Sequence, residues 1–209
     1  MKKEEALKIL FKSAQLYKEN LVNNNLLFIC MDKHKRTSSL TIQFATTGFL
    51  HLTGVKFNDR KSMSSGEFFD KCLKRRLSLD EFELAKDGTT EKKLQILPLL
   101  FSKNLSATIV GDFSARTPVL VTDKLVGDVK GCIGFVYEQT TGFYAPNTVL
   151  NLDIRTYISN QLRIIATYRK KKTDSGYEEI VYAAKKIDWE KIKYPQGFED
   201  LPKPDLWNK

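Results

Sequence analysis

Residues 48–57, GFLHLTGVKF, carry one of the two histidines in the chain. Close to His51 along the chain are the hydroxyl of Thr53 and the ammonium group of Lys56. An imidazole can give or take a proton near neutral pH, and an ammonium group can hold an anion. These residue types and spacings fit acid–base chemistry on a charged substrate. A histidine that is only hydrogen-bonded on a half-buried sheet fits them as well.

The spacing predicts that residues 49–53 form a β-strand. In a strand, His51 and Thr53 point to one face of the sheet, and the leucines beside His51 point to the core on the other face. Gly54 permits a sharp turn or the close approach of a ligand. Lys56 follows at a distance from which its side chain can reach back to an anion. The segment thus predicts a polar strand surface where a proton could be transferred.

A second set of residues could bind a polyanion. In RIIATYRKKK, Arg163, Thr167 and Arg169 share one face of a predicted strand, where guanidinium groups suit bidentate contact with phosphate. A charged edge strand protected against aggregation has the same pattern. The loop YAPNTVLNLDIR and the glycine-flanked sequence VKGCIGF add further polar candidates, which are Asn147, Thr148, Arg155 and Lys130. The asparagine and threonine would also suit the cap of a following helix.

Hydrophobic periodicity predicts the elements that position these groups in the first third of the chain. An apolar stripe over residues 3–21 predicts a helix. A buried strand at 26–32 and an alternating strand at 40–46 predict a hairpin. The other histidine, His34, lies in the polar loop of this hairpin and is expected to be a surface residue.

Two further helices are predicted before residue 107. Ser64 with Glu67 three residues later forms a capping box in front of an apolar stretch. The next helix follows Gly88, with a threonine at its N-cap, and Pro98 is expected to kink or end it.

From residue 107 the pattern changes to strands, namely ATIVGDF, PVLVTD, VKGCIGFVYE, RIIATYRKK and EEIVYAAKK, the last two joined by a tight turn. Between the strands VKGCIGFVYE and RIIATYRKK, residues 146–158 are predicted to form a loop and a short helix. We therefore predict one α+β domain over residues 1–187, with N-terminal helices followed by a mainly antiparallel sheet. The proline-rich tail, residues 188–209, is expected to pack against this domain or to fray.

Composition limits the class of the protein. The 209 residues are 42% hydrophobic and 28% charged, with a net charge of +9, which favours contact with polyanions without defining a site. The three cysteines are widely separated, so we expect free thiols in a reducing cytosol. Charged residues interrupt the apolar N-terminus, and polar residues fill the uncharged stretch 37–55, so we expect no signal peptide, no membrane contact and a cytoplasmic location.

Motifs for dinucleotides, the P-loop, serine hydrolases and zinc proteases are absent from the sequence. The scattered carboxylates and two histidines give little support to a metal-dependent nuclease. Phosphodiester cleavage without a metal needs an acid–base pair and cations that stabilise the charged transition state. The chain has these groups, and we expect neither a metal nor another cofactor.

Several blocks, in a fixed order, resemble a known family. FLHLTGVKF, then FFDKCLKRRLSLDEFELAKDGTTEKKLQILPLL, TDKLVGDVKGCIGFV and YAPNTVLNLDIR resemble the phage-type barnase–EndoU–colicin–RelE-like (BECR-like) nucleases, over roughly residues 7–186. The resemblance implies a small α+β fold in which helices precede a curved antiparallel sheet with the active site. It implies a phage or mobile-element origin and RNA cleavage without a metal, with tRNA as one candidate substrate. The 2′-hydroxyl would attack the adjacent phosphate and leave a cyclic phosphate.

The resemblance also implies roles for individual residues. His51 would be the general acid or base, with Thr53 beside it. Lys56, Lys130 and Arg163 would bind phosphate, and the substrate would be positioned by Asn147. Because no second histidine has a comparable setting, the other proton-transfer role would fall to a lysine, arginine, tyrosine or carboxylate.

Two alternatives remain open at this point. A non-catalytic module of a phage or mobile element could use the same basic surface to hold nucleic acid or an acidic partner protein. An ADP-ribosyltransferase-like enzyme could use the histidine and threonine of the first segment to hold a dinucleotide, although no catalytic glutamate is placed convincingly. A toxin-like nuclease would also be expected to have an antidote or inhibitor protein as a partner.

Overall fold

The computed structural model describes residues 1–57, 63–115 and 120–204. The helices in these ranges are α1 (Lys3–Asn20), α2 (Gly48–Thr53), α3 (Ser65–Leu73) and α4 (Thr89–Leu100). The strands there are β1 (Asn24–Met31), β2 (Thr37–Gln43), β3 (Lys56–Phe57), β4 (Phe82–Glu83), β5 (Ile109–Phe113), β6 (Lys124–Gly127), β7 (Cys132–Glu138), β8 (Phe143–Leu150), β9 (Ile158–Lys171) and β10 (Glu179–Ala183). Two 3₁₀ turns span Ile154–Thr156 and Trp189–Lys191.

One large sheet forms the framework of the fold. Its strands follow the order β1-β2-β8-β7-β6-β5-β9-β10, and β9 also pairs with β1. The pairings therefore form a closed circuit of seven strands, from which β10 extends along β9. Only the β2–β8 pair is parallel among the described strands of this sheet. This arrangement confirms the predicted α+β class with a curved, mainly antiparallel sheet.

The helices pack on one face of the sheet and share a single apolar core with it. Tyr17 of α1 lies at the centre of this core, and its ring centroid is within 5.7 Å of four phenylalanine rings, which are Phe44, Phe49, Phe69 and Phe101. The Tyr17 hydroxyl donates a hydrogen bond to the carbonyl oxygen of Ala45, 2.8 Å away. Burial raises the pKa of this phenol well above its ordinary value. The predicted apolar stripe of the first helix thus faces the core, as the burial of Leu10, Ala14 and Tyr17 shows.

The opposite face of the sheet is covered where β1, β9 and β10 meet. Trp189 is 1% exposed there and belongs to a cluster with apolar residues of these strands. The hydroxyl of Tyr168 on β9 lies 2.9 Å from that of Tyr194 and donates a hydrogen bond to the carbonyl oxygen of Pro202, 2.8 Å away. Residues 188–204 therefore pack on the second face of the sheet.

The prediction of a β-strand at residues 49–53 is wrong, because the segment forms α2. Phe49 and Leu52 are buried three positions apart, which suits one face of a helix. Gly54 follows with φ of 69°, a left-handed conformation that ends the helix at little steric expense. His51 therefore lies on an exposed helical turn.

Two predictions about the other helices have different outcomes. The capping box is confirmed on the side of Ser64, whose hydroxyl accepts a hydrogen bond from the backbone of Glu67 at 3.1 Å. The predicted threonine cap of α4 is wrong, since Gly88 is the N-cap and Thr89 is already helical. Pro98 lies inside the last turn of α4, which continues to Leu100.

The predicted loop at residues 146–158 is also partly wrong. Its first residues, from Pro146 to Leu150, belong to β8, and the 3₁₀ turn Ile154–Thr156 occupies the place of the short helix. A register shift in the β7–β8 pair lies next to Pro146, and a proline is tolerated at such a bulge. The predicted strand PVLVTD lies partly outside the described residues, and its described part, residues 120–123, precedes β6.

Candidate functional site

The end of α2, the start of β3, the start of α3 and the middle of α4 border an open cleft of about 360 Å³. We call it the His51 cleft; its walls are formed by Leu50, His51, Gly54, Val55, Lys56, Ser65 and Lys93. An imidazole, two ammonium groups and a hydroxyl thus line one cavity, and no carboxylate is among these residues. The positive charge of the cleft suits a phosphate group. The structure therefore brings together His51 and Lys56, as predicted, and adds Lys93.

Thr53 supports the cleft from inside the protein and does not line it. Its side chain is fully buried, and its hydroxyl donates a hydrogen bond to the carbonyl oxygen of Leu50 at 2.7 Å. The same hydroxyl accepts a hydrogen bond from the backbone of Val55 at 3.1 Å. Both bonds hold the chain in place as α2 ends. The expectation that Thr53 lies beside His51 on an open surface is wrong, because a helical turn directs the two side chains apart.

Gly54 joins the end of α2 to α4. The hydroxyl of Thr90 donates a hydrogen bond to the Gly54 carbonyl oxygen, 2.6 Å away. A Cβ atom on Gly54 would lie 2.9 Å from Cδ of Lys93, so the aliphatic part of Lys93 packs directly on this backbone. The Lys93 side chain therefore approaches Gly54 closely, and the approach of a ligand there stays a prediction.

The two lysines of the cleft have different environments. Lys93 is half-buried, and this burial lowers the pKa of its ammonium group. No carboxylate in the described part of the chain forms an ion pair with it. Lys56 is exposed. Hydrogen bonds from Thr89 lower the pKa of Asp87, and the positive charge of Lys56 adds a smaller effect in the same direction. Lys93 is thus the cation that water screens less.

We expect the replacement Gly54→Ala to lower the free energy of unfolding by about 1–2 kcal/mol. Alanine is strained at φ of 69°, and its Cβ would also displace Lys93. Gly66→Ala is the matched control, because Gly66 lies within α3 and no atom is within 4 Å of its Cβ position. The control should gain stability, by about 0.5–1 kcal/mol. Denaturant unfolding of both variants measures the difference, and equal changes would contradict the role given to Gly54.

The sequence model of one family, described as phage-Barnase-EndoU-ColicinE5/D-RelE like nuclease 4, matches residues 9–186 of the chain. The chain belongs to this family of BECR-like nucleases. The matched range runs from α1 past β10 and contains every residue of the His51 cleft. No curated protein and no solved structure matches the chain.

The side chains of β9 point to two different faces of the sheet, and only basic residues on the same face can bind one substrate group together. The prediction that Arg163 and Arg169 share one face is wrong. Arg163 pairs with Met31, which packs on the second face of the sheet, whereas Arg169 pairs with Leu26, which packs on the face with the helices. A β-bulge between these pairs adds one residue to β9 and reverses the alternation. Thr167 is fully buried and is not available to a substrate.

The arginines proposed from the sequence have partners within the protein. Arg169 forms two hydrogen bonds of 2.6 and 2.7 Å with the carboxylate of Glu179. Arg155 binds Asp153 through its side chain, and this contact lowers the pKa of the aspartate. Arg163 donates a hydrogen bond to the carbonyl oxygen of Lys185 at 3.3 Å. None of these arginines lines the His51 cleft.

The remaining predicted residues also lie outside the His51 cleft. Asn147 accepts a hydrogen bond from the hydroxyl of Thr122 at 2.9 Å and donates one to the carbonyl oxygen of Val121. Thr148 is 8% exposed. Lys130 is exposed in the turn between β6 and β7. The structure thus separates these groups from the imidazole that they were predicted to assist.

Lys93 lines the His51 cleft, but the sequence interpretation did not include it among the candidate site residues. It lies four positions before the buried Leu97 on α4, so helical periodicity could have marked it as partly buried. What periodicity does not reveal is that the same face of α4 meets the end of α2. The contact with Gly54 joins segments that are distant in sequence.

Among the described residues, no group of three or more histidine, cysteine, aspartate or glutamate side chains is placed to hold a metal ion. No helix in the described ranges is both long and apolar enough to cross a membrane. The cysteines are free and buried, and burial raises the pKa of Cys30 and Cys132 to about 12.

Proposed function

We propose that the chain is a metal-independent ribonuclease that cleaves RNA at the His51 cleft by transesterification. The observation that carries this proposal is the meeting of His51, Lys56 and Lys93 in one cavity of a BECR-like nuclease. Cleavage of this kind needs one group that accepts a proton, one that donates a proton, and positive charge around the phosphate. The three side chains can supply all of these without a metal ion.

In the proposed reaction, His51 and Lys93 share the two proton transfers. The base removes the proton of the 2′-hydroxyl, whose oxygen then forms a bond to the adjacent phosphorus. The bond from phosphorus to the 5′-oxygen breaks, and the acid gives that oxygen its proton. The products are a 2′,3′-cyclic phosphate and a free 5′-hydroxyl. The lowered pKa of Lys93 supports its role, because an amine that releases its proton more easily is a better acid near neutral pH.

Lys56 and the first turn of α3 bind the phosphate in this proposal. Lys56 is exposed at the mouth of the cleft and can follow the substrate. Ser65 lines the cleft as the first residue of α3, so its hydroxyl and the positive end of this helix face the bound anion. Both groups would stabilise the extra negative charge of the transition state.

Further parts of the proposal concern the biological setting. A protein of phage or mobile-element type that cuts RNA, with tRNA as one candidate substrate, would act in the cytoplasm. An antidote protein would have to cover the His51 cleft or its approach, and an acidic surface would suit its positive charge.

The proposal is tested with a labelled RNA strand and EDTA in the reaction. We expect the RNA to be cut and the fragments to end in a 2′,3′-cyclic phosphate. The matched substrate carries 2′-deoxynucleotides at the cut positions and should remain intact there, because the attacking oxygen is missing. Cleavage of the deoxy strand at the same positions would contradict transesterification. Tight, salt-dependent binding without cleavage of either strand would favour a non-catalytic binding module.

A further inference from the structure

The hairpin of β7 and β8 presents an aromatic surface to solvent. Tyr137 and Tyr144 are directly opposite each other in the strand register. Their ring centroids are 5.2 Å apart and their planes are inclined by 59°. Tyr137 is 47% exposed, and it is the only aromatic residue among the large hydrophobic side chains exposed in the described part of the chain. We call this pair the tyrosine platform.

A second cleft, of about 290 Å³, begins at Tyr144 and extends to the start of α2. We call it the hairpin cleft; the residues relevant here are Phe44, Thr47, Gly48, Tyr144, Pro146 and Lys172. The partly exposed Tyr144 and Pro146 provide apolar contact. Lys172 provides a cation, and its Nζ donates a hydrogen bond to the carbonyl oxygen of the buried Phe44, 3.1 Å away. One carboxylate, that of Glu138, also borders the cleft, and the hydroxyl of Thr141 donates a hydrogen bond to it at 3.3 Å.

Helix α2 connects the hairpin cleft to the His51 cleft. Thr47 and Gly48, at the start of α2, border the hairpin cleft, whereas Leu50 and His51 border the His51 cleft. The helix has six residues and is therefore about 9 Å long. A nucleic-acid strand advances by about 3.4 Å per nucleotide along a helix axis, and further when extended. The nearest borders of the two clefts are thus a few nucleotides apart.

We propose that the tyrosine platform and the hairpin cleft hold an unpaired nucleobase of the strand whose phosphate occupies the His51 cleft. The position of that phosphate rests on the proposed ribonuclease function. A base in a duplex is stacked and paired, so its faces are not available to side chains. An unpaired base can stack on a tyrosine ring, whatever its identity. The substrate is therefore a single-stranded segment of RNA, such as a loop or an end.

A nucleobase fits this surface better than a protein partner does. A stable protein interface buries about 800 Å² on each side, whereas the exposed apolar surface here consists of two tyrosine rings and their immediate neighbours. Lys172 is exposed at the hairpin cleft and can contact a phosphate next to a stacked base. Aromatic rings with interleaved lysines are the arrangement that single-stranded nucleic acids require.

The test measures binding without cleavage. The probe is a fluorescent 2′-O-methyl RNA strand of about eight nucleotides, which lacks the attacking hydroxyl. It is used alone and annealed to its complement, and anisotropy gives the Kd of each form. We expect the native protein to bind the single strand at least about tenfold more tightly than the duplex. Tyr137→Ala should remove most of this preference, and Tyr137→Phe, which keeps the ring, should retain it.

Equal Kd values for the single strand and the duplex would overturn the inference. The inference would also be overturned if the Tyr137→Ala variant had the same Tm as the native protein and bound the single strand as tightly. Because the probe cannot be cut, the result does not depend on catalysis. A protein that prefers the single strand but cuts no RNA contradicts only the ribonuclease proposal. A protein that cuts RNA but binds both forms equally contradicts only the tyrosine platform.

Discussion

Replacing His51 by alanine is expected to slow RNA cleavage by about 10²–10⁴-fold, the range that positioned acid–base groups contribute. The side chain is exposed on α2, so the free energy of unfolding should change by no more than about 0.5 kcal/mol. Binding of a non-cleavable RNA strand should also change little, because the lysines of the His51 cleft remain. A loss of rate with retained binding is the result that separates a proton-transfer group from a phosphate-binding group.

His34→Ala is the matched control for this prediction. His34 lies in the turn between β1 and β2 and borders a different cavity, of about 480 Å³, together with Asp32 and Arg36. Single-turnover cleavage of a labelled strand should be the same for His34→Ala and the native protein. Loss of cleavage in His34→Ala, with native rates in His51→Ala, would contradict the proposed site and place the chemistry in the other cavity.

Replacing Lys93 by methionine is expected to change activity and stability in opposite directions. Cleavage should fall by about 10²-fold or more, because the complement of His51 in proton transfer is lost. The free energy of unfolding should rise by about 1 kcal/mol at neutral pH. Methionine keeps the length of the side chain that packs on Gly54 and removes a charge that burial disfavours. A stabilised but inactive variant is the mark of a functional residue held in an unfavourable environment.

The stability gain of Lys93→Met should depend on pH in a defined direction. Burial lowers the pKa of Lys93 in the folded protein below its ordinary value of 10.5. Between the lowered pKa and 10.5 the unfolded chain binds more protons, so the native protein gains stability as the pH rises. The methionine variant has no such dependence at this position. The difference between the two proteins should therefore be largest near neutral pH and shrink toward pH 10.5.

Lys92→Met provides the control for the methionine substitution. Lys92 is the preceding residue of α4 and is exposed. Its replacement should leave the cleavage rate at the native value and change the free energy of unfolding by no more than about 0.5 kcal/mol. Denaturant unfolding at neutral and alkaline pH, together with single-turnover cleavage, measures both effects. If Lys93→Met cut RNA at the native rate, Lys93 would have no part in the reaction, and the proton donor would have to be sought elsewhere.

The elements with long or capped patterns could be predicted from the sequence. The stripe of α1 and the cap at Ser64 each depend on contacts within a few residues, which the sequence shows directly. The strands β1 and β7 are runs rich in apolar and β-branched residues and are predicted to within about three residues at their ends. The first five residues of β9, 158–162, are more polar and are not predicted as strand. The family could be predicted as well, since several sequence blocks and their order can be compared with the family without knowledge of the fold.

The short segment around His51 could not be assigned, because six residues fit a strand or a helix equally well. Its apolar residues alternate and are also three apart, so periodicity does not choose between the two structures. The choice is made by the core, where Phe49 and Leu52 pack against α3, α4 and the sheet. This one difference moves Thr53 from the proposed active surface into the interior.

The sequence by itself determined the α+β class and the nuclease family, and it predicted His51 and Lys56 as site residues. The tertiary structure decided which groups accompany them. A single bulge in β9 puts Arg163 and Arg169 on opposite faces, and packing on Gly54 brings Lys93 to the imidazole's cavity. Both effects depend on contacts between segments far apart in the chain, and local patterns of residues do not contain that information.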